Sequence, residues 1–128
     1  MPRRVSGMSV SENAIEWSDW NDQFNGDCPG VRWGKMFDSD HVPGVGIFEI
    51  APEHELPKHH HEPEELYFVL SGAGSVKVYQ KEHTLEPGTC VHIPSEASHV
   101  TRNTGSEPLR VLYTFPKSAF SDVEYQID

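Results

Sequence analysis

The segment Pro57-Lys-His-His-His-Glu-Pro-Glu-Glu65 carries the densest group of chemically reactive side chains in the chain. On an extended strand, the side chains of His59 and His61 point to the same side. Glu65 follows four residues after His61, and Pro63 favours a turn between them. Two imidazoles and a carboxylate that converge from a hairpin form a good site for a divalent transition metal. A fourth ligand has to come from elsewhere, and the candidates are His99, His92, His83, His54 and His41.

The same segment has a plainer interpretation, a solvent-exposed loop with three adjacent histidines and several acids. On a strand, His60 points away from His59 and His61, so we expect it at the surface or behind the ligands. A second segment changes the balance between the two interpretations. It runs Gly88-Thr-Cys-Val-His-Ile-Pro-Ser-Glu-Ala-Ser-His-Val-Thr-Arg-Asn103 and includes His99.

Together the two segments resemble the two sequence motifs of the cupin superfamily. The first motif is HxH-x3-E-x6-G and the second is G-x5-P-x4-H-x3-N. They match, in order, His59, His61, Glu65, Gly72, Gly88, Pro94, His99 and Asn103. Two positions depart from the motifs: Glu53 stands where the first usually opens with Gly, and Glu96 stands where the second usually has Gly after Pro. Both are turn positions, so they bear on the local loop shape rather than on the ligands.

The resemblance implies an all-β fold, the double-stranded β-helix or cupin jelly-roll barrel, with one metal ion held by His59, His61, Glu65 and His99. Three neutral imidazoles and one carboxylate suit divalent Fe, Mn, Ni, Zn or Cu, and the choice among these metals stays open. Because this set contains no thiolate, a closed structural zinc site is a poor fit. Four protein ligands around an octahedral ion leave two positions for water or substrate. Such a site can polarise a bound carboxylate or activate water.

Composition and turn residues also favour a β-barrel. The chain has 128 residues, about one domain, with 10 Gly and 10 Pro that mark turns between short apolar runs. We divide the chain into a leader with a short helix, residues 1–25, and a barrel domain, residues 26–128. The predicted strands are 31–37, 45–50, 65–70, 75–80, 89–93, 99–103 and 109–115.

We expect the short N-terminal helix between Ser18 and Phe24. Trp17, Trp20 and Phe24 are spaced so that one helical face would carry all three rings, and this face would lie against the barrel. Ser18 would cap the start of the helix, and acidic residues would lie near its positive end.

Residues 65–70 predict a strand with two largely apolar faces. One face carries Glu65, Tyr67 and Val69, and the other carries leucine and phenylalanine side chains. One face would fill the barrel, so the other would pack on a second sheet layer or on a partner subunit. We therefore expect a homodimer.

The charge of the chain limits its partners. Lys and Arg number 10 against 20 Asp and Glu, which gives a net charge of −10. Phosphate contacts need clustered Lys and Arg, so we expect neither nucleic acid nor an anionic membrane surface as a partner. The N-terminal residues lack the apolar run of a signal peptide, which predicts a cytoplasmic protein. Cys28 and Cys90 are expected to be reduced thiols, with Cys90 as a core residue rather than a metal ligand.

Within the superfamily, residues 29–125 are similar to the small single-cupin dimethylsulfoniopropionate (DMSP) lyases. In those lyases the metal binds the substrate carboxylate and a tyrosine takes the neighbouring proton. Dimethyl sulfide then leaves and acrylate remains. Tyr67 matches that tyrosine, and Tyr125 matches a second one. The similarity is carried by Pro29-Gly-Val-Arg-Trp33, Phe48-Glu-Ile-Ala-Pro52, Phe115-Pro116 and Phe120-Ser-Asp-Val-Glu-Tyr125.

The position of Tyr67 on its strand fits a catalytic role independently of the resemblance. Tyr67 shares the face of Glu65 and lies about 7 Å along the strand, so its hydroxyl can lie beside a metal-bound substrate. A free tyrosine has a pKa of about 10, and a nearby dication would lower it and favour a phenolate base. The alternative is that Tyr67 only fills the barrel. Trp33 is likewise either a core residue or a surface for a sulfonium cation.

These observations leave three candidate functions. The first is a metal-dependent lyase that acts on a small-molecule carboxylate substrate, with DMSP as the named candidate. The second is a cupin dioxygenase or isomerase that uses the same four ligands. The third is a non-catalytic module that binds a metal or a ligand.

Overall fold

The computed structural model describes residues 7–22, 26–39, 42–117 and 126–127. Within these residues a 3-10 turn, Glu12–Ala14, precedes eleven β-strands. Among them no helix is long and apolar enough to cross a membrane. The strands are β1 Ser18–Asp22, β2 Gly26–Ser39, β3 Val42–Ile50, β4 Glu55–His60, β5 Glu65–Ser71, β6 Gly74–Val78, β7 Lys81–Leu85, β8 Cys90–Ile93, β9 His99–Asn103, β10 Leu109–Lys117 and β11 Gln126–Ile127.

The strands form two antiparallel sheets with the core between them. The six-stranded sheet has the order β1-β2-β3-β10-β5-β8, and the five-stranded sheet has the order β11-β4-β9-β6-β7. Buried side chains from both sheets join in one hydrophobic cluster. Strands that are neighbours in space but distant in sequence, such as β3 and β10, give the jelly-roll connectivity. The predicted all-β barrel is therefore confirmed.

β5 shows how the sequence pattern builds this core. Glu65, Tyr67 and Val69 are buried, whereas Leu66 and Phe68 are each 42% exposed. The prediction that one face of this strand fills the barrel is confirmed. In this single chain the opposite face looks onto solvent, so the predicted second sheet layer over it is not observed among the described residues.

The predicted N-terminal helix is wrong, because residues 18–22 form strand β1. Its backbone pairs with β2, with Ser18 opposite Trp33. A helix this short is unstable without packing, whereas β2 offers a row of hydrogen-bonding partners. Trp20 is still buried, as expected, but from a strand. Phe24 lies outside the described residues, and the helix cap falls instead to Ser11, whose side chain accepts a hydrogen bond from the Asn13 amide of the 3-10 turn.

The N-terminal segment, residues 11–17, packs on the outer face of the six-stranded sheet. Ile15 is 8% exposed, and its side chain lies over Gly34, where a Cβ atom would collide with it. Glu12 forms an ion pair with Arg110 of β10. The segment then turns into β1 at the sheet edge. The same stretch of chain therefore covers the outside of the sheet and adds a strand to it.

The two motif positions that lack glycine adopt glycine-like backbone conformations. Glu53 has φ of 67° and Glu96 has φ of 65°. Left-handed conformations are uncommon for residues with a Cβ atom. The loops therefore keep the shape that glycine would favour, even though the sequence departs from the motif there.

Strand β8 corrects the expectation for Cys90. The burial pattern of β8 places Val91 and Ile93 inside and leaves Cys90 exposed. Cys90 is therefore not a core residue, because its inward neighbours already fill that space. Cys28 and Cys90 form no disulfide, as expected. The edge strand β7 was missed by the sequence analysis because its polar residues give no apolar alternation.

Candidate metal centre

Three histidine side chains meet inside the barrel. His59 belongs to β4, His61 follows it directly, and His99 begins the neighbouring strand β9. Each of the three residues is at most 2% exposed. One ring nitrogen from each lies within 4.8 Å of the others. The three histidines that the motif names therefore lie close enough together for one cation to contact all three.

An irregularity in strand β4 allows this arrangement. Leu56 pairs with Thr101 and His59 pairs with His99, so three residue steps along β4 lie opposite two residue steps along β9. Such a bulge changes which side chains face inward. The bulge directs the side chains of both Leu56 and His59 into the barrel, although the two residues are three positions apart in the strand. Without the bulge, regular alternation would direct one of the two outward.

The backbone sets the orientation of each ring. A carbonyl oxygen only accepts hydrogen bonds, so a ring nitrogen bonded to it carries the proton. The other ring nitrogen, Nε2, then keeps its lone pair for a metal ion. The three Nδ1–carbonyl distances are 2.7 Å from His59 to Pro57, 2.8 Å from His61 to Pro63 and 2.9 Å from His99 to Ala97.

Glu65 joins the histidines from the opposite sheet. Its Oε1 lies 3.2 Å from His61 Nε2 and 3.7 Å from His99 Nε2. Burial lowers the pKa of His61, but the hydrogen bond and charge of Glu65 outweigh burial and raise it above its usual value. The carboxylate therefore lies where it can bind a cation beside the rings.

His99 supplies an independent test of whether a cation fits. Its Nε2 is the buried side-chain atom without a hydrogen-bond partner among the described residues. Burial, together with the neighbouring His59 and His61, lowers the pKa of His99 to about 4 despite the opposing charge of Glu65. A buried lone pair on a neutral ring is costly unless something binds it. The donor set thus fits a divalent metal ion.

The remaining histidines do not join this cluster. His92 is exposed and lies 2.9 Å from Glu64. His54 is exposed, and its Nδ1 lies 2.8 Å from the carbonyl of Pro52. His83 is half-buried on the edge strand β7, and His41 lies outside the described residues. Of the described candidates for the fourth ligand, His99 is the one that meets the other two. His60 is half-buried, and its Nε2 lies 3.8 Å from Oε2 of Glu96.

A cavity of about 320 Å³ opens beside the cluster and is lined by Tyr67. Tyr67 is fully buried, and its hydroxyl lies 3.1 Å from the hydroxyl of Thr101. Trp33 lines the cavity and also packs against the core. Tyr125 lies outside the described residues. The other lining residues are Asp19, Trp20, Lys35, Phe48, Leu56, His59, Glu65 and Tyr113.

Several lining residues were not predicted as parts of a site, among them Trp20, Lys35 and Tyr113. Trp20 reaches the cavity because β1 is a strand, and its ring lies 5.9 Å from that of His59. Lys35 and Tyr113 line the cavity because of the register between paired strands, which no local sequence pattern encodes. The signal for Tyr113 is the alternation of Val111, Tyr113 and Phe115 on one face of the predicted strand 109–115, which indicates an inward-facing side.

A buried cluster of three histidines between the sheets of a two-sheet barrel defines a jelly-roll protein with a donor set that fits a divalent metal ion. The cupin domain family model matches residues 46–115, and the chain belongs to this family. The matched region includes β4, β5 and β9 and, with them, all three histidines and Glu65.

Similar proteins differ in function. Auxin-binding protein 1 of Arabidopsis thaliana is 34% identical over 77 residues, which cover 53% of this chain and 39% of that protein. The chain spans between a third and about half of the length of the curated relatives it matches. Among solved structures, the cupin-2 protein Rru_A2000 of Rhodospirillum rubrum has a TM-score of 0.78 at 17% identity. The superposed region covers 100% of this chain and 84% of the Rru_A2000 chain. A structure from the work on the DMSP lyases RdDddP and RnDddQII has a TM-score of 0.74 at 22% identity. The superposed region covers 89% of this chain and 62% of that chain.

Proposed function

We propose that this protein is a metal-dependent lyase that performs β-elimination on a small carboxylate substrate, with DMSP as the candidate substrate. The observation that supports this most directly is the shared cavity, in which Tyr67 lies beside His59 and Glu65. A substrate held at the histidine cluster would therefore lie next to a tyrosine hydroxyl. The resemblance of the flanking segments to DMSP lyases names the candidate.

The ligands of the proposed site are His59, His61, Glu65 and His99. They are three imidazoles and one carboxylate, a set that suits Fe, Mn, Ni or Zn. A divalent ion bound there would supply Lewis acidity that polarises the substrate carboxylate. The protein contributes the fixed ring orientations and the buried surroundings.

Tyr67 is the proposed base. It would accept the proton on the carbon next to the substrate carboxylate, and the electron pair of that C–H bond would form the new C=C bond. The C–S bond would break, and dimethyl sulfide would leave with its electron pair, so that acrylate remains. The Thr101 hydroxyl, 3.1 Å away, can donate a hydrogen bond that stabilises a phenolate at Tyr67.

Tyr125 is proposed as a second tyrosine of the site on the strength of the resemblance. The next residue along the chain, Gln126, pairs with His60, and Ile127 pairs with His59. β11 thus brings the chain just after Tyr125 alongside the ligand strand.

The direct test is metal analysis of the purified protein followed by headspace detection of dimethyl sulfide from DMSP. We expect stoichiometric metal, with dimethyl sulfide and acrylate released in equal amounts and both lost after chelation. Stoichiometric metal without dimethyl sulfide would overturn the proposed reaction. Oxygen consumption with a thiol or diketone substrate would then favour a dioxygenase.

A second candidate is ligand binding without turnover. The match to a protein named for binding auxin favours it, because that relative is 34% identical over 77 residues. The two functions differ in one measurement: a binding module retains its small-molecule ligand unchanged after prolonged incubation, whereas a lyase consumes it.

The homodimer stays a prediction, motivated by Leu66 and Phe68, which are each 42% exposed on the outer face of β5. If a second copy covers this face, Leu66→Lys combined with Phe68→Lys should shift the mass measured by light scattering from two chains to one. A matched change at an exposed apolar residue elsewhere, Tyr79→Lys, should leave the mass unchanged. A wild-type mass of one chain would contradict the prediction.

A further inference from the structure

One row of residues crosses the inner face of the six-stranded sheet. Lys35 of β2 pairs with Gly46 of β3, Gly46 pairs with Tyr113 of β10, and Tyr113 pairs with Tyr67 of β5. Residues that lie directly opposite each other in a sheet share a face. Tyr67 faces the cavity, so Lys35 and Tyr113 face it too. Both line the same cavity as the histidine cluster.

Gly46 leaves room in this row for the ring of Tyr113. A Cβ atom at Gly46 would lie 2.7 Å from the Tyr113 hydroxyl and 2.5 Å from the carbonyl oxygen of Gly34. The Tyr113 hydroxyl therefore occupies the space above β3, between its own strand and β2. It is displaced toward Lys35 and away from Tyr67.

We propose that Lys35 and Tyr113 form a second polar subsite of the cavity, across from the histidine cluster, that binds a carboxylate group. An ammonium and a phenol hydroxyl both donate hydrogen bonds, and anionic oxygen accepts them most strongly. Short dicarboxylates are thus ligands of this cavity, with one carboxylate at the histidine cluster and the other at Lys35 and Tyr113. The proposal rests on the proposed function only in placing the first carboxylate at the cluster.

The dimensions of the cavity suit a short molecule of this kind. Lys35 and Tyr67 lie three strands apart, which places their backbones about 14 Å from each other at about 4.8 Å per strand. Their side chains enter the space between from both ends. The cavity of about 320 Å³ lies near the lower end of the usual range for small-molecule sites.

The other charged groups of the cavity determine its charge preference. Glu65 is the carboxylate that faces the histidines. Asp19 borders the cavity, but it pairs with Arg32 and therefore belongs to the outer face of the sheet. The Lys35 ammonium lies 5.8 Å from the centre of the Trp33 ring. Among the described residues that line the cavity, Lys35 is the one lysine or arginine. It therefore attracts a second carboxylate and opposes a ligand cation.

The test compares succinate with propionate by calorimetry on the protein with its measured metal content. We expect wild type to bind succinate more tightly than propionate. Lys35→Met should weaken succinate binding about tenfold or more, because it removes a charge-assisted hydrogen bond to the second carboxylate. Tyr113→Phe should weaken it less. Propionate affinity and metal content should stay unchanged in both variants.

Lys77→Met is the matched control, since Lys77 is an exposed lysine of the other sheet and does not line this cavity. It should bind succinate like wild type. Equal binding of succinate and propionate by wild type, or unchanged succinate binding by Lys35→Met, would overturn the subsite. Absence of lyase activity with intact succinate binding would instead overturn only the proposed function. If DMSP is turned over, Lys35→Met should lower its KM, because the variant removes a repelling charge from the cavity.

Discussion

His99→Ala should remove stoichiometric metal binding and, with it, the proposed lyase activity. His99 supplies one of three clustered imidazoles, and its ring centre lies 4.3 Å from that of His59. Loss of a ligand should reduce metal affinity by more than the roughly 10- to 100-fold that follows loss of an outer hydrogen-bond partner. Metal content after gel filtration, measured by plasma mass spectrometry, checks this directly.

A matched control distinguishes the effect of losing a proposed metal ligand from the effect of losing any histidine. His92→Ala removes an exposed imidazole that contacts Glu64 and does not approach the cluster. It should keep its metal. Because His99 is buried, its variant should also be checked by circular dichroism, and His61→Ala should give the same loss of metal. A folded His99→Ala protein with stoichiometric metal would show that the cluster is not the metal site.

Tyr67→Phe should keep the metal and lose most lyase activity. The substitution removes only the hydroxyl, and the ring keeps its edge-on packing against Phe48, with ring centres 5.1 Å apart. Loss of a general base typically reduces the rate by about 100- to 10,000-fold. Acrylate release under saturating DMSP, measured by chromatography, gives the comparison with wild type.

The stability of this variant should change little, because one hydrogen bond between neutral groups contributes about 1 kcal/mol. The lost bond is the one to Thr101. Tyr79→Phe, which removes an exposed hydroxyl remote from the cavity lining, serves as the control and should retain full activity. Unchanged acrylate release by Tyr67→Phe would remove Tyr67 as the proposed base.

The parts of the fold that follow a local pattern could be predicted from the sequence. Alternation in β5 and the motif spacing around β4 and β9 correctly predicted inward side chains and a barrel. The N-terminal helix could not be rejected locally, because the spacing of Trp17 and Trp20 fits a helix. The decision depends on β2, a strand that offers pairing partners only in the folded chain.

Some residues of the candidate site could likewise be predicted from a local sequence pattern, and others could not. His59 and His61 come together through two-residue periodicity, and the motif resemblance added His99. The Lys35–Tyr113 pair depends on register across β2, β3 and β10, and on an absent side chain at Gly46. No short stretch of sequence contains that information, because it arises from three separate strands.

The ring-orienting hydrogen bonds have an evolutionary consequence. Each histidine of the cluster is fixed by a carbonyl only two residues away in sequence, so short stretches of β4, β9 and their flanking turns determine ligand geometry. The cavity wall comes largely from other strands, β1, β2, β3 and β10. Substitutions in the wall can therefore accumulate without disturbing the imidazole orientations. Mutational independence of this kind allows one ancestral barrel to diverge into descendants with different ligands while the donor atoms stay in place.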